Sequence, residues 1–347
     1  MSSTTARAIM QRIIQKAQAG PKRVVFPEGE EERILQAARM LVEQKIAEPI
    51  LLGNPPAIQG RAAQSGLSLG GIEIEDPAAS PWKRAYVPEL YRLRRRRGVT
   101  LSEAAALLES RNVFGCMMVH MGDADALVSG TSQHYPDTVR PALQIIRARE
   151  GVRRVAGMDL IVTRQGELYF LADTTVNIEP SAEELAEIAL GAAQEARRFD
   201  VVPRVALLSF SNFGSTPHPL ARKVQRAAEL VKQADPELIV DGEMQADTAV
   251  VPAIRESTYP FSSLKGGANV LIFPDLQSSN IAFKLLTRIG EATALGPILM
   301  GLSQPVHLLQ RGAEVEDIVN IAALAVVEAQ EVAARIPPAA KFAPSAA

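Results

Sequence analysis

Apolar residues recur at helical spacing over 6–19, where Ile9, Ile13, Ile14 and Ala17 share one face, so the pattern predicts a helix there, ended by Pro21. A short apolar run at 23–27 predicts a buried strand. The spacing of Ile34, Ala37, Ala38 and Leu41 predicts an amphipathic helix over 31–44. A strand at 49–52 then meets Gly53-Asn-Pro-Pro56, which reads as a turn. A strand follows at 72–74, and helical patterns cover 84–97 and 101–110, with Gly98 between them and Thr100 or Ser102 as the cap. A strand at 126–128 runs into Ser129-Gly-Thr-Ser132 and a helix over 137–149.

The texture changes near residue 150. Strands at 158–162 and 168–172 flank Arg164-Gln-Gly166, a hairpin signal. A long helix over 181–199 opens with Ser181-Ala-Glu-Glu184, close to a capping-box pattern. Strands at 204–210, 238–240 and 270–273 alternate with helical stretches at 219–233, 249–254, 280–289 and 315–334. The tail 336–347, rich in Pro and Ala, reads as frayed. Such alternation implies an α/β fold with mostly parallel sheets covered on both faces, and the length suits two of them. Ligands of such sheets bind beyond the C-terminal strand ends. The loops at 129–132, 211–215 and 277–280 stand where that rule places a site.

Composition narrows the class. The chain has 347 residues, 47% of them hydrophobic, 22% charged, with a net charge of −2. That balance gives no reason to expect nucleic-acid binding. A single cysteine, Cys116, excludes an intrachain disulfide and makes the cytoplasm the natural compartment. No Cys/His spacing of metal-site type occurs. No secretory leader or long apolar span is evident, so neither export nor a membrane is expected.

Strand, small-residue loop and helix together aim backbone N–H groups at an anion. Val128-Ser-Gly-Thr-Ser132 has this form, with Ser129 and Thr131 as candidate contacts. So does Phe210-Ser-Asn-Phe-Gly-Ser215, with Ser211 and Ser215. Neither is a Walker A loop or a GxGxxG fingerprint, so neither a bound NTP nor a Rossmann-type NAD site is expected. Arg140, one turn into the following helix, suits a carboxylate or phosphate, although a surface arginine is the ordinary reading. Arg94–Arg97 reads most simply as a solvated helix face. Arg311, set between Gln310 and Gly312 after two leucines, is an odd place for a solubilising charge. Asp317 suits the start of the last helix. His120, His134, His218 and His307 are scattered and read as structural. Asp241-Gly-Glu-Met-Gln-Ala-Asp247 clusters carboxylates, but its apolar members favour a packed strand end over a metal site.

Taken together, the chain resembles the phosphotransacetylase (phosphate acetyl/butyryltransferase) family over nearly its whole length. The segments that carry the likeness include Phe26-Pro-Glu-Gly-Glu-Glu-Glu-Arg33, Arg94-Arg-Arg-Arg-Gly-Val-Thr100, Asp125-Ala-Leu-Val-Ser-Gly130 and Asp137-Thr-Val-Arg-Pro-Ala-Leu-Gln-Ile-Ile146. They continue with Leu171-Ala-Asp173, Leu208-Ser-Phe-Ser211, Asp241-Gly-Glu-Met-Gln245, Phe273-Pro-Asp275 and Gly296-Pro-Ile298. The resemblance implies two αβα three-layer domains with an interdomain cleft: 1–148 plus 306–347, and 149–305, the second carrying the dimer interface. Within the family the chain is similar to the C-terminal domain of bacterial hybrid NADP-dependent malic enzymes. The pointers are Ser209-Phe-Ser-Asn-Phe-Gly-Ser215, where active transacetylases carry Ser-Thr-Lys-Gly-Ser, together with Ser262-Ser-Leu-Lys-Gly266, Gly301-Leu-Ser-Gln-Pro-Val-His-Leu-Leu309 and Ala323-Leu-Ala-Val-Val-Glu-Ala-Gln330.

The resemblance also implies chemistry. In active members the CoA thiolate attacks acetyl phosphate, a carboxylate assists, a serine contacts the thiol, and arginines hold phosphate and acyl oxygen. Those positions fall on Asp317, Gln310, Arg140, Arg94 and Arg311, and only the serine is changed, to Gln310. Loss of one transition-state hydrogen bond costs roughly 2.7–4 kcal/mol, by analogy with an oxyanion-hole donor. The expectation is a domain that binds acetyl-CoA or CoA without metal or covalent cofactor, forms a homodimer or higher oligomer, and reports acetyl-CoA to a malic-enzyme catalytic domain. A working phosphate acetyltransferase is the alternative, and a purely structural dimerisation module a third.

Overall fold

The computed structural model describes residues 2–133 and 135–335; His134 and the tail from residue 336 lie outside the described residues. The chain begins α1 (Ser2–Gln18), β1 (Arg23–Phe26), α2 (Glu32–Glu43), β2 (Glu48–Leu52), α3 (Pro55–Gln64), β3 (Glu73–Glu75) and α4 (Lys83–Arg94). Then come α5 (Leu101–Leu107), α6 (Arg111–Met121), β4 (Ala126–Ser129) and α7 (Tyr135–Ile145). The middle of the chain holds β5 (Ala156–Val162), β6 (Leu168–Ala172), α8 (Ala182–Arg198), β7 (Arg204–Leu208), α9 (Pro219–Ala234) and β8 (Ile239–Met244). It continues through α10 (Ala246–Val250), α11 (Pro252–Thr258), β9 (Val270–Ile272), α12 (Leu276–Arg288) and β10 (Thr293–Met300) to β11 (Val306–Leu308) and α13 (Val315–Arg335).

The chain packs as two compact units, a terminal one of Ile13–Arg147 with residues from Ser303 on, and a central one of Ala148–Leu302 with residues up to Arg12. The start of α1 was expected in the terminal unit. It groups instead with the central one, where Arg12 Nε lies 3.6 Å from Asp200 Oδ2.

The terminal unit is built on a sheet of order β11-β4-β1-β2-β3, with every pairing parallel. Its central strands are continuous apolar runs because both faces are covered; all of Ala126–Ser129 is buried. The helix α2 turns Ile34, Leu35, Ala37, Ala38 and Leu41 inward and packs on α13 and β2. Burying each such leucine or isoleucine contributes about 1.5–3 kcal/mol. The helices α4, α6 and α7 pack on one another, and α6 lies on β4 and β1.

The central unit has a sheet of order β10-β5-β6-β9-β7-β8. The four strands β6, β9, β7 and β8 are parallel, whereas the hairpin partner β5 and the edge strand β10 are antiparallel to their neighbours. The helices α8 and α9 pack together over this sheet, while α10 and α12 contact β7 and β6. The capping box at the start of α8 is complete, with Ser181 accepting from Glu184 N–H and Glu184 accepting from Ser181 N–H. Around Ile161, Leu171, Ala206, Leu208, Met244 and Phe273 lies one of its apolar clusters.

Several expectations need correction. Gly53–Pro56 is not a simple turn but the entry to α3: Asn54 Oδ1 accepts from Ala57 N–H at 3.1 Å, and Pro55 and Pro56 fill the first turn, where no N–H is needed. The segment 277–280 is not a loop but the first turn of α12, capped by Asp275, whose Oδ1 accepts from Ser278 N–H at 2.7 Å. The single helix expected at 249–254 is two, because Pro252 cannot donate back and starts α11 anew. Thr100, not Ser102, caps α5, in a capping box with Glu103.

Candidate functional site

The ends of two adjacent parallel strands build the most informative surface of the terminal unit. Leu308 of β11 pairs with Ser129 of β4, and the two chains stay together beyond the sheet. Leu309 N–H donates to Ser129 O at 2.8 Å, and Gly312 N–H donates to Thr131 O at 3.0 Å. Ala313 N–H closes a turn onto Gln310 O at 3.0 Å, with Gly312 at φ 78°. Gly130, at φ 126°, lets the loops approach this closely, since a Cβ there would stand 2.7 Å from Leu309 O. Arg33 Nη1 adds bonds to Gly312 O at 2.6 Å and Ala313 O at 3.1 Å. Gln310 and Arg311 are thereby presented, exposed, at the tip of a turn stitched on both sides.

Beneath this turn lies a residue that sequence reasoning missed. Glu28, just past β1, is 4% exposed. Its carboxylate accepts from the N–H groups of Gly130 (2.7 Å), Thr131 (3.0 Å) and Ser132 (2.8 Å), and from Ser132 Oγ (2.7 Å). Burial pushes its pKa up, but the Ser132 hydroxyl and the three amides outweigh that and hold it below the usual carboxylate value. The amides expected to face an incoming anion therefore already hold an internal one. The cues in the sequence were a carboxylate directly after a buried strand and its place in the Phe26–Arg33 segment. A small polar pocket beside it is lined by Glu28, Glu30, Arg111, Ser132 and Gln133, with Arg111 Nη2 2.6 Å from Glu30 Oε1.

The remaining candidates sit on α7 and α13, which pack on β11, and on α4, which packs on α7. Arg140 is exposed on α7, which packs on β11; Arg94 is half-buried at the end of α4, which packs on α7. Neither has a hydrogen-bond or ion-pair partner among the described residues. Asp317 lies half-buried in the first turn of α13, where its Oδ2 accepts from Glu314 N–H at 3.1 Å. Burial raises its pKa; the Glu314 amide opposes this, while Glu316 and Glu314 reinforce it. Thr131 is 8% exposed and its Oγ1 has no partner among the described residues. Ser129, by contrast, is fully buried, and its hydroxyl donates to Asn112 Oδ1 at 2.9 Å. That hydroxyl ties the loop to α6 and is not directed at a ligand.

The central-unit loop repeats the arrangement. Ser211 Oγ donates to Glu243 Oε1 at 2.9 Å, and Gly214 N–H donates to the same oxygen at 2.7 Å. Ser215 Oγ accepts from Asn212 N–H at 3.0 Å and lies 3.2 Å from Ser211 Oγ. Ser211 is fully buried, so its hydroxyl, too, serves the loop. The Asp241–Asp247 carboxylates are separately engaged. Asp241 accepts from Lys232 Nζ, Ser262 Oγ and Ser263 N–H, each at 2.8 Å, and Asp247 Oδ1 from Thr248 N–H at 2.7 Å. No group of three or more metal-type ligands occurs among the described residues. The described histidines are placed in packing: His120 Nε2 lies 2.7 Å from Glu89 Oε1, His218 caps α9, and buried His307 lies 3.0 Å from Glu328 Oε2.

Chemically, the terminal unit carries guanidinium groups at Arg94, Arg140 and Arg311, an exposed amide at Gln310 and a carboxylate of raised pKa at Asp317, with the 130–132 amides already held by Glu28. Two α/β units, each with a small-residue loop beyond parallel strand ends and the terminal one with Arg311 on the adjoining turn, define the class of protein. The family model for phosphate acetyl/butaryl transferase matches residues 8–326, and the chain belongs to that family. It is 44% identical over 326 residues to the NADP-dependent malic enzyme of Escherichia coli (strain K12), covering 92% of this chain but 43% of that enzyme. It is 43% identical over 317 residues to the phosphate acetyltransferase of Bacillus subtilis (strain 168), covering 91% of this chain and 98% of that one. A phosphotransacetylase from Streptococcus pyogenes has the same fold at TM-score 0.89 and 39% identity, covering 94% of this chain and 99% of that one. Among the described residues no helix is long and apolar enough to cross a membrane.

Proposed function

We propose that this chain is an acetyl-CoA-binding regulatory domain of the transacetylase type, acting for a malic-enzyme catalytic domain and transferring acetyl groups slowly or not at all. The observation that carries the proposal is Gln310, an exposed amide beside Arg311 at the tip of the stitched turn, at the position where the resemblance to active transacetylases implies a serine. Arg94, Arg140 and Arg311 bind phosphate and acyl oxygen. Ser129, Ser211 and Ser215 support the loops. The likeness to a malic enzyme of which this chain spans 43% supports the regulatory role.

A second reading, a working phosphate acetyltransferase, draws on Asp317 and on the full-length likeness to the Bacillus enzyme. In that reaction the CoA thiol gives its proton to a base and the sulfur attacks the acetyl carbon of acetyl phosphate. The carbon–oxygen bond to phosphate breaks, and phosphate leaves into the arginines. A carboxylate with raised pKa is the better proton acceptor, so Asp317 suits that role. The two readings separate by combining acetyl-CoA calorimetry with a phosphate-dependent acetyl-transfer assay on one preparation. Binding without turnover supports the regulatory role, turnover well above a no-protein control supports the enzyme, and absence of binding leaves a structural module.

The assembly proposed is a homodimer through the central unit. Ile281, Leu285 and Ile289 form one stripe along α12 and beyond its end, and all are exposed, Ile289 at 77%. Ile178, also 77% exposed, lies at the start of α12, where its carbonyl accepts from Leu276 N–H at 3.0 Å. An apolar stripe of this kind on a charged surface favours a partner.

A further inference from the structure

We propose that Glu28 is a positioning residue for the ligand site. Its buried carboxylate clamps the 130–132 loop, and through that loop sets the turn that presents Gln310 and Arg311. This inference rests on the function proposed above for the location of the site, and on the hydrogen bonds for the clamp itself. The chain of contacts is continuous. Glu28 holds the amides of Gly130, Thr131 and Ser132; the carbonyls of Ser129 and Thr131 then hold the amides of Leu309 and Gly312. Every backbone bond that fixes the Gln310 turn to β4 passes through a residue that Glu28 grips or its immediate neighbour. No water-filled space is needed to satisfy the three amides, because Glu28 is 4% exposed and sits directly on them.

A concave run of amides must meet an acceptor, and a carboxylate is the side chain that meets several at once. Were the position neutral, the amides would be short of acceptors, and the loop would be open to the phosphate of a ligand. With Glu28 in place, negative charge already fills the amides. A ligand phosphate is repelled from them and directed to the guanidinium groups. Glu28 thus does two things for a ligand it does not touch: it fixes the height of the Arg311 turn, and it restricts phosphate to side-chain contacts.

The central unit supplies a matched control. Asp173 accepts from the N–H groups of Gly157 (3.0 Å), Thr175 (2.9 Å), Val176 (3.0 Å) and Asn177 (2.8 Å), the same device away from the candidate turn. The experiment compares the wild-type chain with Glu28→Gln, Glu28→Asp and Asp173→Asn by acetyl-CoA calorimetry and by amide hydrogen exchange. Glu28→Gln is expected to weaken acetyl-CoA binding at least tenfold and to speed exchange both at 130–132 and at Leu309 and Gly312. Glu28→Asp, which keeps the charge, should recover part of both effects, and Asp173→Asn should speed exchange only around its own loop. Faster exchange confined to 130–132, or unchanged acetyl-CoA affinity in a folded Glu28→Gln chain, overturns the inference. If Glu28→Gln does not fold, Ser132→Ala removes one of the four bonds and must show the same exchange pattern on a smaller scale. If wild-type chain does not bind acetyl-CoA, the proposed function falls, and exchange at Leu309 and Gly312 alone decides whether Glu28 sets the turn.

Discussion

At Glu28 and Asp173 an acidic side chain just past a strand end turns onto several backbone amides, and Glu243, inside β8, takes one backbone amide and the Ser211 hydroxyl. Each satisfies donors that would otherwise be costly to bury, roughly 1–3 kcal/mol apiece. Asp159 on β5 is the opposite case. It is 2% exposed and its Oδ1 has no partner among the described residues. Burial pushes its pKa up to about 7; the Thr174 hydroxyl lowers it, Asp173 raises it further and Lys284 lowers it. The two types of group act on stability with opposite sign. Glu28, held low when folded, contributes stability above its ordinary pKa of 4.5 that is lost as acid protonates it. Asp159, held high, costs nothing below its ordinary value of 3.8, and its cost grows as pH rises toward about 7 and is then complete. At about 1.4 kcal/mol per unit, that cost reaches a few kcal/mol. Asp159→Asn should therefore melt higher than wild type at pH 7.5, with the difference closing by pH 4. A difference that widened on acidification would show Asp159 to be ionised and paired in the folded chain.

At the scale of the element, most of this fold was legible. The helices α2, α8 and α9 each bury one face at regular spacing, and β1, β4 and β7 are short apolar runs with a clean break after them. What escaped had a physical reason. The helix α6 buries every residue from Asn112 to Val119, so it has no polar face to mark a period. The strand β10 contains Gly296-Pro297, a pair that ordinarily argues against a strand, and its ladder with β5 shifts register there. The candidate side chains Gln310, Arg311, Arg140, Arg94 and Asp317 could be named from sequence because a family pattern marks them. Glu28, Asn112 and Glu243 could not, because their role depends on which loops the sheet brings together. The helix α12 carries its own prediction. If its exposed stripe is the homodimer contact, Leu285→Lys with Ile281→Lys should give a folded monomer by light scattering. A doubly substituted chain that remained a dimer would place the contact elsewhere.

At the scale of the molecule, family membership is settled by a match over residues 8–326, while the relatives include malic enzymes matched over 43% of their length and phosphate acetyltransferases matched over 47% to 100% of theirs. The proposed function rests the distinction between the two kinds of relative on Gln310. In the proposed function the stitched turn and the arginines recognise an acyl-CoA or its phosphate partner, and the change to Gln310 bears only on the reacting step. Binding and turnover should therefore come apart under mutation. Arg311→Ala should weaken acetyl-CoA binding by about tenfold or more, the scale of a lost charge-assisted hydrogen bond. Gln310→Ser should leave affinity within a few-fold and raise phosphate-dependent acetyl transfer by about 10²–10³. The most direct test is that last comparison, acetyl-CoA affinity and acetyl transfer measured side by side on wild type and Gln310→Ser. The account predicts that wild type binds with little or no turnover and that the serine variant gains turnover at similar affinity. Brisk transfer by the wild-type chain, unimproved by serine, would contradict it and make this protein a phosphate acetyltransferase in its own right.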